Sequence, residues 1–405
     1  IDLVANGTSI EGFDVIRGSD GGDWAQGIRV NANHTQIVDN DVEVRDNGDN
    51  VVRPGIMVID SSGASVENVS IRDNTVNGSI DGLMITGNYG DGVYDVSVKG
   101  NTIEDNVRGL TLKRHDGSAG SPEDVSVMNN IFEDNTEAIH LTGDGNKIEG
   151  FDVKDFDVSQ ADIVGNTIRS SNQYGVNNSA SAQLDAQDNY WGAASGPEGE
   201  GADVSGAVSF EPWLLEADGA EFDETISLTG DDWSLVSAPE SVEASSVVVD
   251  NGSEAKYSVY DTEASQFNVV DSVDSNPLSA TFVYSSDTSG LGLNYSDGSS
   301  ASKDVAKGWN MVGSSQEIKL RDAVSPIAGS LNSFFAPADY NDGKLGGTYT
   351  DLGENSSQVV DATGLAYLQG QFGDSQKVSR YDGYWVKASG SSSLELTVPQ
   401  PEEAQ

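Results

Sequence analysis

The chain has no cysteine, and only 21 of its 405 residues are lysine or arginine, against 66 aspartates and glutamates. The first absence excludes disulfides and thiol chemistry without identifying a compartment, since many exported proteins also lack cysteine. The second argues against nucleic acid as a partner. Phosphate contacts need clustered basic side chains, and one such cluster exists, Lys113-Arg114-His115. No apolar run is long enough to cross a bilayer. There is no glycine-rich phosphate loop, no zinc-ligand spacing among the three histidines, and no Ser-His-Asp order.

What is present is acid. A formal charge of -45 makes self-repulsion severe in ordinary buffer. In molar salt the Debye length falls to about 3 Å, so the carboxylates stop repelling one another yet still hold water. The acidity therefore reads as adaptation to a very salty environment, as in a halophilic archaeon or its virus. Disorder does not fit, because 36% hydrophobic residues, with six Trp and thirteen Tyr, suffice to build cores. The chain begins at Ile1, without Met and within a strand pattern, which suggests removal of a signal peptide or of further coils. Asn6, Asn33, Asn68, Asn77, Asn177, Asn251, Asn294 and Asn355 each open an N-x-[ST] sequon, pointing to an extracellular, glycosylated surface protein.

A short strand beginning Gly27-Ile-Arg-Val recurs at Gly55, Gly82, Gly109, Ala138 and Gly175, at intervals of 28, 27, 27, 29 and 37 residues. A second series interleaves with it: Val38-Asp-Asn, Ile71-Arg-Asp-Asn, Val98-Lys-Gly-Asn, Val127-Met-Asn-Asn and Ile163-Val-Gly-Asn. Two series with one period imply one coil per repeat. Alternation places Ile28 and Val30, Ile56 and Val58, Leu83 and Ile85, Leu110 and Leu112, and Ile139 and Leu141 on one face. Strands this short bury too little to stand alone, but coils stacked about 4.8 Å apart share continuous aliphatic columns. Asn74, Asn101, Asn130, Asn166 and Asn189 fall where each coil turns, a place that suits a structural ladder of side chains hydrogen-bonding along the stack. Gly145-Asn-Lys-Ile-Glu-Gly-Phe-Asp-Val repeats an early segment inside the enlarged interval, where an extra strand or bulging loop is expected.

The region closes with Asp188-Asn-Tyr-Trp-Gly, Ser195-Gly-Pro and Val208-Ser-Phe-Glu-Pro-Trp-Leu. This combination resembles the ending of right-handed parallel β-helix domains of the NosD-like and carbohydrate-binding-and-hydrolase group. The resemblance covers residues 1–215 and implies a fold rather than an activity. Trp191, Pro212 and Trp213 would cap the apolar end of about seven coils, a shaft roughly 34 Å long.

Residues 216–229 read as an acidic linker. Beyond it, 230–400 reads as a β-sandwich-like region of two related units, about 230–303 and 304–400, with a tail at 401–405. The second unit, through Gly308-Trp-Asn-Met-Val-Gly and Gly383-Tyr-Trp-Val, resembles the "GWN…GYWV" modules of exported archaeal and bacterial proteins. The segment from Gln316 to Asn332 is the best helix candidate. The fold class is thus all-β: a right-handed parallel β-helix followed by β-sandwich-like modules.

Chemistry is sparse. The column between the buried pairs, Arg29, Met57, Met84, Thr111, His140 and Asn177, should face outward, and it lacks the two carboxylates that a glycosidase needs. A lyase needs a base and a cation for the uronate, which makes Lys113, Arg114, His115 and His140 the catalytic candidates. Asp339-Tyr-Asn-Asp-Gly-Lys is similar to a calcium loop but lacks its final Glu, so no dedicated metal or cofactor is expected beyond loosely held Ca²⁺ or monovalent cations. The functional expectation is a structural or adhesive surface protein that contacts glycans and, through an open first coil, assembles head to tail into a fibre. A polysaccharide lyase or hydrolase and a viral attachment spike are the alternatives.

Overall fold

In the computed structural model the glycine-led strands become one parallel sheet. The residues described are 1–17, 26–44, 54–60, 64–87, 91–115, 120–144, 147–148, 151–169, 171–197, 199–217, 219–238, 240–243, 248–249, 255–296 and 302–313, and beyond these the strand segments 318–319, 331–341, 344–351, 377–378, 383–388 and 392–395. The chain divides into two units, Ile1–Phe222 and Asp223–Gln405.

In the first unit, strands Asp2–Leu3, Ile28–Val30, Ile56–Ile59, Asp81–Gly87, Arg108–His115, Glu137–Leu141, Tyr174–Asn178 and Val204–Ser205 stack in order. Ile28, Ile56, Leu83, Leu110, Ile139 and Val176 are register partners in one line, and all are fully buried. A second sheet runs from Ser9–Glu11 to Ala161–Val164 and a third from Asp14–Arg17 to Thr167–Arg169, each of six strands. Six complete three-stranded coils result, not seven. The coil after them is partial, because its strand Leu184–Asp185 pairs only with Val208–Ser209.

The corner between the second and third sheets explains the repeated Asx-Asn and Gly-Asn pairs. Asp73, Gly100 and Asn129 sit at φ 59°, 67° and 53°, a left-handed conformation that Gly, Asn and Asp tolerate best. The enlarged interval holds an antiparallel hairpin, Lys147–Ile148 with Phe151–Lys154, whose second strand runs antiparallel to the end of Arg108–His115. Phe156 and Val158 then return to the core, and Trp191 and Trp213 fill its far end.

Several expectations are corrected. Met57, Met84 and Thr111 do not face solvent: they are 7%, 1% and 0% exposed, and Met57, Ile59 and Met84 pack together outside the aliphatic column. Alternation shows which side chains leave the interior, not whether that outer face is covered. The acidic segment 216–229 is not a plain linker either. Glu224–Leu228 is a strand with Leu228 in the second unit's core, so the exchange of units falls at Phe222. The helix expected from Gln316 is a strand where it is described, Ile318–Lys319 paired with Lys377–Val378, and residues 320–330 lie outside the described residues. The only helical turn among the described residues is a 3-10 turn, Val158–Gln160.

The second unit is antiparallel. A three-stranded sheet built on Ser289–Leu293 and a four-stranded sheet containing Asp232–Ser237 and Ala280–Ser285 share a core of Leu228, Val236, Val283, Leu291 and Leu293. Gly308–Gly313 pairs with Gly383–Ala388, so the two motif segments are direct neighbours, with Met311 opposite Trp385.

Candidate functional site

On the outer side of the first sheet, one position precedes each repeat glycine. Asp81, Arg108, Glu137 and Tyr174 occupy it in successive coils and are register partners. Beside them runs the column Met84, Thr111, His140, Asn177. Parallel stacking therefore brings together, about 4.8 Å apart, residues separated by 27 to 37 positions in sequence.

Two side-chain pairings hold this face. Arg108 grips the fully buried Asp81 with both carboxylate oxygens, Nε to Oδ1 at 2.6 Å and Nη2 to Oδ2 at 3.0 Å, and the Thr111 hydroxyl donates to the same Oδ1. One coil on, the Glu137 carboxylate takes His140 Nδ1 at 2.7 Å and Asn177 Nδ2 at 3.2 Å. Burial pushes the Glu137 carboxyl up, but the hydrogen bond and charge of His140, the Asn177 amide and the nearby Arg108 outweigh it, and its pKa is lowered. An ionised carboxylate only accepts, so His140 Nδ1 carries the hydrogen. When the ring is neutral, Nε2 is left as a hydrogen-bond acceptor or base.

The side chains of Glu137 and His140 are 15% and 12% exposed, and Tyr174 and Asn177 are also partly accessible. They offer mixed donors and acceptors on a rigid support. As a set they suit hydroxyl groups. Asp81 and Glu137 are not a free acid/base pair, since each is already bound to its own cationic or hydrogen-bonding partner.

The sequence candidates are only partly assembled. Lys113 is 5% exposed and stacks on Thr86, one outward position beyond the Thr111–His140 column. The Arg114 amide donates to the Thr142 hydroxyl at 3.3 Å, and Arg114 and His115 pair with Lys154 and Val153 of the inserted hairpin. The His115 side chain lies outside the described residues. His140 is thus joined to Glu137 and Asn177. Missed from sequence were Asp81, Arg108 and Glu137, whose signal was a charged residue directly before Gly82, Gly109 and Ala138 in three successive repeats.

The asparagines form a closed ladder. Side-chain Nδ2 of Asn40, Asn74, Asn101, Asn130 and Asn166 each donates to Oδ1 of the next member, ending at Asn189, at 2.9–3.0 Å. The backbone N–H of the same residue donates to the same oxygen. The second hydrogen of each amide goes to backbone carbonyls, as from Asn101 to Ile71 at 2.9 Å. A shorter ladder, Asn106 to Asn135, lies five residues later, with the Ser79 N–H donating to Asn106 Oδ1 at 2.9 Å. These amides are buried and occupied, so none is offered to a ligand.

The sequons differ in access. Asn6 and Asn68 are exposed, while Asn77 is half-buried and its Ser79 is buried. Asn33 Oδ1 accepts the Glu67 N–H at 3.1 Å and its Thr35 is buried. Asn177 spends its amide on Glu137, and Asn294 Oδ1 accepts the Asp223 N–H at 3.1 Å. Asn251 and Asn355 lie outside the described residues.

Among the described residues no group of three His, Asp or Glu is arranged to hold a metal ion. Asp339–Asn341 and Lys344 belong to paired antiparallel strands, and Asp342 and Gly343 of the calcium-loop resemblance lie outside the described residues. No helix of the described residues is long and apolar enough to cross a membrane.

No family model and no curated protein matches this chain. Among solved structures it is similar to the tailspike protein gp49 of Acinetobacter baumannii bacteriophage Fri1, a capsular polysaccharide depolymerase, at 8% identity and a TM-score of 0.30, over 71% of this chain and 68% of that one. It is also similar to a mutant tailspike protein of E. coli bacteriophage HK620 in complex with a pentasaccharide, at 11% identity and a TM-score of 0.33, over 71% and 64%.

Proposed function

We propose that this chain is an extracellular structural or adhesive surface protein of a high-salt organism, whose β-helix contacts glycans through the outer face of its first sheet. The observation that carries the reading is the set Glu137, His140, Tyr174 and Asn177, partly accessible and held by the ladder-locked stack beneath it. Pre-organised donors and acceptors bind hydroxyl groups at low ordering cost. The net charge of -45 supports the high-salt setting. Association into a fibre belongs to the same reading: Phe13 and Ile16 on the first coil are 56% and 58% exposed, an apolar area that another copy would cover.

The test is binding of the full chain to a panel of neutral and acidic polysaccharides in molar salt, with a His140→Ala, Asn177→Ala double variant beside it. Loss of binding in the variant is expected. Equal binding by both proteins, with the fold intact, would remove this face from the account.

A second reading, polysaccharide lyase, is favoured by one observation: Glu137 orients the His140 ring so that Nε2 can take a proton. That base would remove the proton beside a uronate carboxylate while the glycosidic C–O bond breaks, the departing oxygen taking a proton from water and an unsaturated sugar end remaining. Arg108, the nearest guanidinium, is already committed to Asp81. Absorbance of the unsaturated product from polygalacturonate or alginate, lost on His140→Ala, would establish it.

A further inference from the structure

The second sheet stops where the chain still has a strand to offer. Through six coils its strands pair in unbroken order, ending at Ala161–Val164. The following strand on that side, Leu184–Asp185, pairs forward with Val208–Ser209 and has no pairing with Ala161–Val164. At the corner the two coils still meet, since Asn189 Nδ2 donates to the Ile163 carbonyl and the Gly165 N–H to the Asp188 carbonyl, both at 2.8 Å. Upstream of that corner the 3-10 turn Val158–Gln160 touches both the second sheet and Leu184–Asp185. The strands part around it and leave a cleft of about 560 Å³.

That volume falls within the range of small-ligand sites. Its walls carry Asp157, Ser159, Asp162, Gln183, Asp185 and Asp188. Some of these are satisfied within the protein: Asp157 Oδ1 takes the Ser159 N–H at 3.2 Å and its hydroxyl at 2.7 Å, and Asp185 Oδ1 takes the Gln187 N–H at 3.2 Å. The side chains of Asp162 and Gln183 are exposed and make no hydrogen bond within the protein. Val158, Ala161 and Val164 supply apolar surface between them.

We propose that this cleft binds a neutral saccharide unit, with Asp162 and Asp185 accepting from its hydroxyls and Gln183 able both to donate and to accept. An anionic sugar is disfavoured, because four carboxylates and no lysine or arginine line the walls. A metal ion is disfavoured by the absence, among the described residues, of a convergent ligand set. A peptide strand would need a long free edge, and the corner hydrogen bonds close this one after a few residues. A pyranose, with hydroxyls around an apolar C–H face, matches both the acceptors and the aliphatic patch. Asp188 also lines the cleft; burial, then Glu221 and Asp185, raise its pKa.

The cleft lies on a different sheet from His140, so it stands or falls apart from the first-sheet reading. Titration calorimetry of the full chain in molar salt uses maltohexaose, cellohexaose and a hexagalacturonate as probes, with calcium chloride as a separate titrant. Two variants go with it: Asp162→Ala combined with Gln183→Ala, and Ala182→Trp, which fills the mouth from an exposed position. Binding of a neutral hexasaccharide, weakened at least tenfold by both cleft variants, is the expected result. No neutral binding, tighter binding of hexagalacturonate, a calcium response abolished by the double variant, or neutral binding that only His140→Ala removes would each overturn the proposal.

Discussion

The Asn130 carboxamide oxygen accepts two hydrogen bonds from Asn101 in the coil before it, from Nδ2 at 3.0 Å and from the backbone N–H at 2.9 Å. Asn101 Oδ1 receives the same pair from Asn74, at 2.9 and 3.0 Å. The Asn101→Ala variant therefore leaves a buried backbone N–H and a buried amide without their acceptor. A loss of about 3 kcal/mol follows from two stranded donors. Thermal or denaturant unfolding measures it, and an unchanged midpoint would show that the ladder carries no stability.

Arg108 makes a different kind of claim. Its Arg108→Met variant leaves the fully buried Asp81 carboxylate without its guanidinium, at a cost of about 4 kcal/mol. Adding Asp81→Asn should recover most of that loss, because the remaining buried group is neutral. Unfolding midpoints of the two single variants and the double variant, run as a cycle, test the pairing; strict additivity would contradict it.

Glu137 makes stability depend on pH in a definite direction. Its pKa is lowered in the fold, so the ionised form is favoured there. The resulting stability is present above the unfolded value of about 4.3 and is lost as pH falls through the lowered folded value. Wild type should exceed Glu137→Gln in melting temperature at pH 7, and the gap should close by pH 3. A gap that widens toward acid would reverse the assignment.

Glu104 behaves oppositely. Burial, then Asp105, Glu133, Asp134 and Asp41, raise its pKa, so its ionised form costs stability once pH rises above the unfolded value. Glu133 stacks directly on it, one coil away. Replacing it by Glu104→Gln should raise the melting temperature in dilute buffer at pH 7. Molar salt should shrink the gain to the part due to burial alone, since the Coulombic part is screened. A gain independent of salt would count against the reading of these acidic columns as a high-salt adaptation.

Much of the first unit was legible because a parallel stack repeats its pattern locally. Ile56, Leu83, Leu110 and Ile139 carry both period and alternation, and together those dictate one interior column. The site was less legible. Asp81, Arg108 and Glu137 differ in type from coil to coil, so they look like scattered surface charge until the register sets them side by side. The burial of Met57 and Met84 was hidden for a related reason: a period of two separates the two faces of a strand, and says nothing of what lies over the outer one. In the second unit, the segment from Gln316 to Asn332 reads as a helix, yet Ile318–Lys319 is drawn into an antiparallel pair with Lys377–Val378, a partner about 60 residues away that no local pattern announces.

The central claim is that Glu43, Asn77, Glu104, Glu133 and Arg169 occupy one column on successive coils. The chain has no cysteine, so spin labels can be placed without background. Electron paramagnetic resonance distances for Glu104→Cys with Glu133→Cys, Glu104→Cys with Arg169→Cys, and Glu43→Cys with Arg169→Cys sample one, two and four coils. The account requires backbone separations rising in step, roughly 5, 10 and 19 Å at 4.8 Å per coil. Distances that instead follow the sequence intervals, or that fail to increase with coil number, would contradict the stacked architecture.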